Sequence, residues 1–351
     1  MRVEIKPITM KKIAIFGTFA IALLACIGFT ACNNKSDVVP EEPETYTVHL
    51  GWSGEINVSY EPLMRAATND LYGIQVYSKP TSDSSSEWTP YAYGLFDDTN
   101  NVVITLQKGY KYKFESTMIK NGKNRVNTNN GGYSYPFYLS SSPWHCAITN
   151  DFDYTINQYF NGANGGAKAL TDVVIVVGDG NGYSRANVER FYGILSDYIP
   201  SENSSAKIDM KRTSFGAKFI ATGKLAVDGK LEMQIEDAPK MELVLTAGDD
   251  MISDIFTFAK VDAAWENAEY IETVNVSFNW NRTDGTVRSL GTHPITFKRN
   301  TTTVVEVKIE NENTNEGLDL NIADDETGVM PTGEKVTITD GEVVDTEVET
   351  N

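Results

Sequence analysis

Residues 109–115 read Gly-Tyr-Lys-Tyr-Lys-Phe-Glu, and the alternation in this stretch decides the fold class. The aromatic residues occupy the even positions and the charged residues the odd ones. Successive side chains of an extended chain point to opposite faces, so this pattern predicts a strand with one face in a core and the other in solvent. A strand of this kind needs partner strands, and the surrounding sequence supplies them.

Strand patterns recur along the chain, separated by turn signals. Turn dipeptides occur at Asn121-Gly122, Asp228-Gly229 and Asp284-Gly285, which favours hairpins. Only residues 251–264 fit a short helix. The further strand patterns cover residues 45–50, 71–77, 102–106, 173–177, 206–210, 217–221, 231–235, 243–245, 274–280 and 305–309. Many short strands at such spacing indicate an all-β protein, and we expect an antiparallel β-sandwich.

Composition changes suggest how the chain is divided. An Asn- and Gly-rich stretch at residues 158–166 marks a loop, so a domain boundary is expected near residue 165. We therefore expect two packed sandwiches, a first β-sandwich region over residues 45–165 and a second over residues 166–310. An acidic tail, residues 311–351, follows them.

The N-terminal residues have the pattern of a lipoprotein signal peptide. Lys11 and Lys12 precede an apolar run at residues 13–29, and Ala31-Cys32 follows as a small-residue cleavage site. Residues 1–31 are thus the predicted signal peptide, and Cys32 is the predicted lipidated residue. The mature protein would be held at the outer membrane, on the cell surface, by its acyl chains.

Two other interpretations of this segment stay open. Cleavage before Cys26 also fits a lipobox, but it would leave apolar residues at the mature terminus, whereas cleavage before Cys32 leaves a polar one. The apolar run could instead span a membrane as a helix. It is about 17 residues long, which is near the lower limit for spanning, and Gly17 and Gly28 interrupt it.

Charge is concentrated near the two ends of the mature chain. Residues 32–44 form an acidic tether in which Pro40 and Pro43 favour extension. Residues 310–351 contain thirteen acidic residues and one basic residue, so they carry −12 of the net charge of −18. This balance argues against a nucleic-acid partner, which requires clustered Lys and Arg.

Catalytic and metal-binding patterns are weak throughout. The three histidines are isolated, without the spacing of metal ligands, so no metal and no cofactor is expected. Once Cys26 and Cys32 are assigned to the signal, Cys146 remains alone and is interpreted as a buried thiol. Residues 178–182 (Gly-Asp-Gly-Asn-Gly) lack the Lys of a phosphate-binding loop and the terminal Glu of a calcium loop. The chain is therefore predicted not to be an enzyme.

The order of several motifs resembles one known family. Met64-Arg65-Ala66-Ala67 is followed by a polar stretch and by Ile74-Gln75-Val76-Tyr77. Further motifs lie at residues 106–112, 208–219 and 295–303. Together they resemble the fimbrillin-like lipoproteins of Bacteroidetes, the major fimbrial subunit superfamily, over most of residues 45–310.

The resemblance implies a transthyretin-like β-sandwich and assembly by strand exchange. In that family a protease cuts after an Arg behind the first strand, and Arg65 occupies the matching place, although it could also be an ordinary surface residue. The tail could supply the exchanged strand through Val336, Ile338 and Val343, or stay disordered because of its charge. The region 124–166 looks longer than the family pattern, which leaves a non-polymerising accessory subunit open.

Aromatic residues in two loop-rich segments suggest an alternative function. Trp88, Tyr133 and Trp144 are candidates for stacking on sugar rings, although such rings more often fill a core. The favoured function is a surface-anchored fimbrillin-like adhesin or fimbrial component acting by binding and assembly. The alternative is a glycan-binding outer-membrane surface lipoprotein. The expected partners are the outer membrane, other fimbrial subunits, and surface glycans or host proteins.

Overall fold

The computed structural model describes most of the chain between its ends. The described residues are 43–57, 69–134, 137, 145–154, 170–172, 174–222, 229–246 and 250–308, together with the backbone of three later strands at 319–324, 336–339 and 342–344. Cys26, Cys32, Arg65 and Trp144 lie outside them. Within this part of the chain, no helix has both the length and the apolar character needed to cross a membrane.

Strands dominate the described residues. The helices are α1 (Gly122–Arg125) and α2 (Val261–Glu266), and single 3-10 turns occur at Glu55–Asn57 and Leu170–Asp172. The strands are β1 (Thr45–Gly54), β2 (Leu71–Pro80), β3 (Thr89–Phe96), β4 (Val102–Gln107), β5 (Tyr110–Ile119), β6 (Tyr133–Ser134), β7 (His145–Cys146), β8 (Ile175–Val176), β9 (Gly182–Tyr183), β10 (Arg190–Tyr198), β11 (Ser205–Arg212), β12 (Ser214–Thr222), β13 (Lys230–Ile235), β14 (Met241–Val244), β15 (Asp250–Thr257), β16 (Ile271–Asn281), β17 (Val287–Lys298), β18 (Thr302–Lys308), β19 (Asp319–Asp324), β20 (Val336–Thr339) and β21 (Glu342–Val344).

The first sandwich is built from a single seven-stranded sheet. Its strand order is β3-β2-β5-β10-β11-β1-β4. Alternate residues of nearly all these strands share one buried cluster, including Val48 of β1, Ile74 of β2 and Phe114 of β5. The sheet therefore bends so that β4, β1 and β11 face β2, β3 and β5 across a common core.

A short segment after β7 covers the two edges of this sheet. On the β3 side, Tyr93 and Asp153 exchange main-chain hydrogen bonds of 3.0 and 2.8 Å. On the β4 side, the Thr105 amide donates to the Tyr154 hydroxyl at 3.0 Å. Phe152, which directly precedes Asp153 and Tyr154, is buried in the core. The β3 edge is thus bridged at Tyr93 and the β4 edge is contacted at the Thr105 amide, which limits the use of these edges as templates for another strand at those positions.

The second sandwich has two separate sheets. A six-stranded sheet has the order β15-β12-β18-β19-β20-β21, and a four-stranded sheet has the order β14-β13-β16-β17. Their facing sides form one apolar cluster, in which Phe215, Phe219, Phe278 and Trp280 are at most 2% exposed. This cluster is the core of the second sandwich.

A third cluster covers the outer face of the first sheet. It joins Leu95 of β3 and Ile119 of β5 to Tyr133, Phe137 and Cys146, which belong to the region between α1 and β8. The sequence stretch that looked longer than the family pattern therefore contributes a third apolar layer rather than only a surface loop.

The structure is all-β with several sheets, and it differs from the expected fold in three respects. The sandwich is not wholly antiparallel, because β1 pairs with β11 and β12 pairs with β18 in parallel. Of the expected helix at 251–264, the first half is strand β15, and α2 forms only the end. The first sheet includes β10 and β11, so it extends to Arg212, beyond residue 165. The transthyretin-like topology stays a prediction.

Candidate functional site

The candidate assembly site is the groove that β1 fills in the first sandwich. β1 lies between β4, to which it is antiparallel, and β11, to which it is parallel. Val48 and Leu50 point into the core and are 0% and 5% exposed. Their neighbours across the strands include Ile104 of β4 and Ala206 of β11, which are also buried. Removal of β1 would leave an apolar groove with two unpaired strand edges.

A glycine ends β1 at the boundary of this groove. Gly54 has a φ of +85°, and a Cβ atom added there would lie 2.4 Å from Asp209 Oδ1 and 2.5 Å from the Met210 carbonyl oxygen. A larger residue would therefore be strained and would collide with β11. This turn directs the chain out of the sheet and into the short 3-10 turn that begins at Glu55.

Glu55 ties the end of β1 to the second sandwich. Its carboxylate accepts two hydrogen bonds from the Arg299 guanidinium, at 2.8 and 3.0 Å, and a third from the Arg212 amide at 2.8 Å. Arg299 also donates to the Arg212 carbonyl at 2.7 Å. The Arg299 side chain is 4% exposed. We call Glu55, Arg212 and Arg299 the β1 latch. A bidentate pair between an Arg and a carboxylate is among the stronger charge-assisted hydrogen-bonded contacts.

The surroundings of the latch are also charged and buried. The Arg212 guanidinium donates to Glu189 at 2.9 Å and to Asn300. Nearby, Arg190 is 1% exposed, and burial lowers its pKa to about 10. Its side chain donates to the Thr117 hydroxyl at 2.9 Å and to the Leu170 carbonyl. The junction between the sandwiches is thus a polar layer whose hydrogen bonds fix its geometry.

The latch makes stability depend on pH in the acid range. Burial raises the pKa of Glu55, but hydrogen bonds from Arg299 and Arg212 outweigh it, so the pKa lies below its ordinary value of 4.5. A carboxylate with a lowered pKa stabilises the fold above its unfolded pKa, and this contribution is lost as the pH falls. We expect the stability gap between the wild type and Glu55→Gln, measured by urea unfolding, to shrink between pH 7 and pH 3. A gap of constant size over that range would contradict this assignment.

The structure describes both ends of the segment that carries Arg65, but not the segment. Residues 58–68 connect the 3-10 turn at Glu55–Asn57 to Asn69, just before β2. Processing at Arg65 stays a prediction, as does lipidation of Cys32. What the structure establishes is that a cut in this segment would separate β1 from the rest of its sheet in sequence.

The aromatic residues proposed for glycan stacking are not equally accessible. Tyr133 is 5% exposed and packs edge-to-face on Phe137 with a centroid distance of 6.4 Å, so it offers little ring surface to a sugar. Trp88 is half-buried, and Lys79 Nζ lies 4.6 Å from its ring centroid. Trp144 is outside the described residues.

The candidate donor-strand residues lie on strands that pair within the chain. Val336 and Ile338 belong to β20, opposite Ile322 and Leu320 of β19, and Val343 of β21 lies opposite Ile338. β19, β20 and β21 thus extend the six-stranded sheet beyond β18. Whether they also leave this sheet to pair with another molecule stays a prediction.

Sequence reasoning did not identify the β1 latch. Arg212 and Arg299 lie in two stretches that carried the family resemblance, but Glu55 is 244 residues away from Arg299 along the chain. No local spacing connects residues so far apart. By contrast, the buried thiol at Cys146 is confirmed: the residue is 5% exposed, and burial raises its pKa to about 12. In the part of the chain described, no group of three or more His, Cys, Asp or Glu could hold a metal ion.

Comparisons with known proteins give matches by structure only. Neither protein-family models nor curated proteins match the sequence. Three similar solved structures are the fimbrial anchor protein Mfa2 from Porphyromonas gingivalis, a putative adhesin from Bacteroides ovatus and a fimbrial assembly protein from Parabacteroides distasonis. Their identities to this chain are 9%, 10% and 9%, with TM-scores of 0.36, 0.36 and 0.33. The alignments cover 82%, 81% and 83% of this chain and 99%, 95% and 100% of the other chains.

The similarity of these neighbours to this chain is low in both identity and TM-score, so the function has to be argued from the residues of this chain.

Proposed function

We propose that this protein is a surface-anchored fimbrillin-like component of a fimbrium that assembles by exchange of its first strand. The observation that carries the proposal is the position of β1, which is paired on both sides, between β11 and the edge strand β4, and is followed by the segment that contains Arg65. A lipid on Cys32 would deliver the chain to the outer surface. A cut after Arg65 would then free β1, and a strand from another subunit would replace it.

Replacement of β1 is favoured over addition at an edge of the first sheet. The segment at 149–154 already engages β3 and β4, the two edge strands. The β1 groove would offer a donor two strand edges, one on each side, and pockets at the positions of Val48 and Leu50. Main-chain pairing supplies affinity in such complexes, while the pockets for alternate side chains supply specificity.

The β1 latch determines when exchange could occur. Glu55 would leave together with β1, and Arg299, whose side chain is 4% exposed when Glu55 is in place, would lose its carboxylate partner. Uncompensated buried charge is unfavourable. A cut chain would therefore retain β1 until a competing strand arrived, which would protect the groove before assembly.

The tail pattern favours a donor that is a different protein. β1 places Tyr46, Val48, Leu50 and Trp52 on its inward side. In an extended tail strand, Val336 and Ile338 would be followed on the same face by Asp340 and Glu342. Two acidic side chains would then meet apolar pockets. We infer that the tail of a second copy fits the groove poorly, which favours an accessory subunit over a self-polymerising one.

Strand exchange can be measured with a labelled peptide. The full-length chain is cut by limited trypsin treatment and mixed with a fluorescent peptide of residues 43–57. We expect the cut chain, with a new terminus at Ala66, to take up the peptide, seen as a rise in fluorescence anisotropy. The uncut chain keeps its own β1 and should not bind it.

Two controls make this experiment specific. Arg65→Ala should stay uncut in this segment and should not take up the peptide. A peptide with Val48→Asp and Leu50→Asp should not enter the groove of the cut wild type. Equal uptake by Arg65→Ala and the wild type, or no uptake after a confirmed cut at Arg65, would count against strand exchange.

The second candidate function is glycan binding at the cell surface. Burial of Tyr133 removes one of the three aromatic candidates, while stacking on Trp88 or Trp144 stays a prediction. A polar cleft elsewhere in the molecule also favours this function.

A further inference from the structure

A cleft of about 560 Å³ lies beside the turn between β8 and β9. Its walls come from α1, from residues 177–183 and from β13 with the residues that follow it. This volume is within the range of small-molecule binding sites, about 300–1,000 Å³. The cleft is separate from the β1 groove, and no residue of the β1 latch lines it.

Amide side chains dominate the polar lining of this cleft. Asn124, Asn181, Asn187 and Gln234 are joined there by the carboxylate of Asp179. Each amide can both donate and accept a hydrogen bond, and a carboxylate can accept from two neighbouring hydroxyls. Sugar hydroxyls also donate and accept, so this lining matches their chemistry.

Hydrogen bonds hold the lining residues in place. Asp254 of β15 accepts from Arg125 at 2.8 Å and from Asn187 at 3.0 Å, one bond to each carboxylate oxygen. Asp179 accepts from the Tyr183 hydroxyl at 2.6 Å. Since these side chains are already ordered, less of their conformational entropy would be lost when a ligand binds.

Other classes of ligand fit less well. Val177, Pro239 and Tyr183 are the apolar or aromatic side chains of the lining, and polar or charged side chains outnumber them, which does not suit a lipid or an apolar peptide. Asp179 is the one carboxylate among the residues that line the cleft, so the lining does not supply the ligands of a metal ion. The cations Arg125 and Lys240 are paired with Asp254 at 2.8 Å and Glu232 at 3.1 Å, so the site does not carry a large uncompensated charge.

The main chain at Gly178 borders the open space of the cleft. A Cβ atom built there would meet no other atom within 4 Å, and the residue does not have the positive φ that would exclude a side chain. A sugar ring could therefore approach the backbone closely at this point. Because there is space for a side chain at Gly178, a larger residue there can block the cleft without removing a hydrogen bond.

We propose that this cleft binds a neutral oligosaccharide through Asn187, Gln234 and Asp179. This cleft would be the site of the glycan binding that is the second candidate function. Binding there does not depend on cleavage at Arg65. An adhesive subunit could carry both sites, since they involve different residues.

Binding can be tested by saturation-transfer NMR and calorimetry on the full-length chain. The probes are maltotriose, cellotriose and N,N′-diacetylchitobiose, with digalacturonic acid as the charged comparison. We expect at least one neutral probe to bind. Asn187→Ala should weaken it about tenfold, the effect of one lost hydrogen bond, and Gly178→Leu should abolish it.

Glu202→Leu is the matched control for Gly178→Leu, because it places the same side chain at an exposed position outside the cleft. It should bind like the wild type, and circular dichroism should show that all variants are folded. Failure of every neutral probe, binding of digalacturonic acid alone, or undiminished binding by Gly178→Leu would overturn the proposal. None of these results would bear on strand exchange, which the peptide experiment measures separately.

Discussion

Replacing Glu55 with Ala is expected to destabilise the protein by about 2 kcal/mol, less than the loss of one partner of a fully buried ion pair, because the Glu55 side chain is 32% exposed. The substitution leaves Arg299, whose side chain is 4% exposed, without its carboxylate. It also removes the acceptor of the Arg212 amide. The free energy of unfolding, measured in urea at pH 7, reports this loss directly.

The exposed ion pair between Glu44 and Lys108 provides the matched control. Its side chains are 57% and 58% exposed, and solvent weakens such pairs. Glu44→Ala should therefore leave the unfolding curve almost unchanged, although it removes the same side chain at the other end of β1. If Glu44→Ala and Glu55→Ala had equal effects, the assignment of the β1 latch would be wrong.

The second large effect is expected from Phe215→Ala in the core of the second sandwich. Phe215 is fully buried, and its ring centroid lies 4.4 Å from that of Phe297 and 4.7 Å from that of Phe258. Truncation would remove these contacts and leave a cavity between the two sheets. A loss of about 3–5 kcal/mol in the free energy of unfolding is expected.

Val287→Ala tests whether the effect comes from burial. Val287 is on the same sandwich but is 66% exposed, so its truncation should change stability by no more than about 0.5 kcal/mol. Both variants should be measured by urea unfolding, and the free energy of unfolding should fall with urea concentration at the same slope in both. A loss below 1 kcal/mol for Phe215→Ala, about the level of an ordinary surface change, would contradict the described core.

The strands were predictable where alternation was clear. The aromatic and charged alternation at 109–115 corresponds to β5, where Tyr112 and Phe114 are buried. The opposite face is not wholly in solvent as expected, because Glu115 is 3% exposed and accepts a hydrogen bond from the Leu170 amide. The alternation beginning at Thr45 corresponds to β1. The strands were found because an extended chain with one buried face has a two-residue period. The period does not say which strand lies alongside.

Local sequence does not determine which strands pair, and at 251–264 it did not determine the type of secondary structure. β1 and β11 pair in parallel across more than 150 residues, and neither strand signals its partner or direction. At β15, residues that fit a helix pair along β12 over eight positions. Tertiary pairing overrides weak local preference in such cases. The β1 latch was not predictable for the same reason, since Glu55 and Arg299 are 244 residues apart and come together only through the tertiary fold.

The central claim is that β1 is exchanged after a cut at Arg65. The most direct test is to isolate the protein from the surface of native cells and to determine its N-terminal residue and mass in assembled and unassembled fractions. We predict that chains in multimers begin at Ala66, without the lipid, while unassembled chains begin at an acylated Cys32. A single acylated species beginning at Cys32, with no multimers, would contradict strand exchange through Arg65.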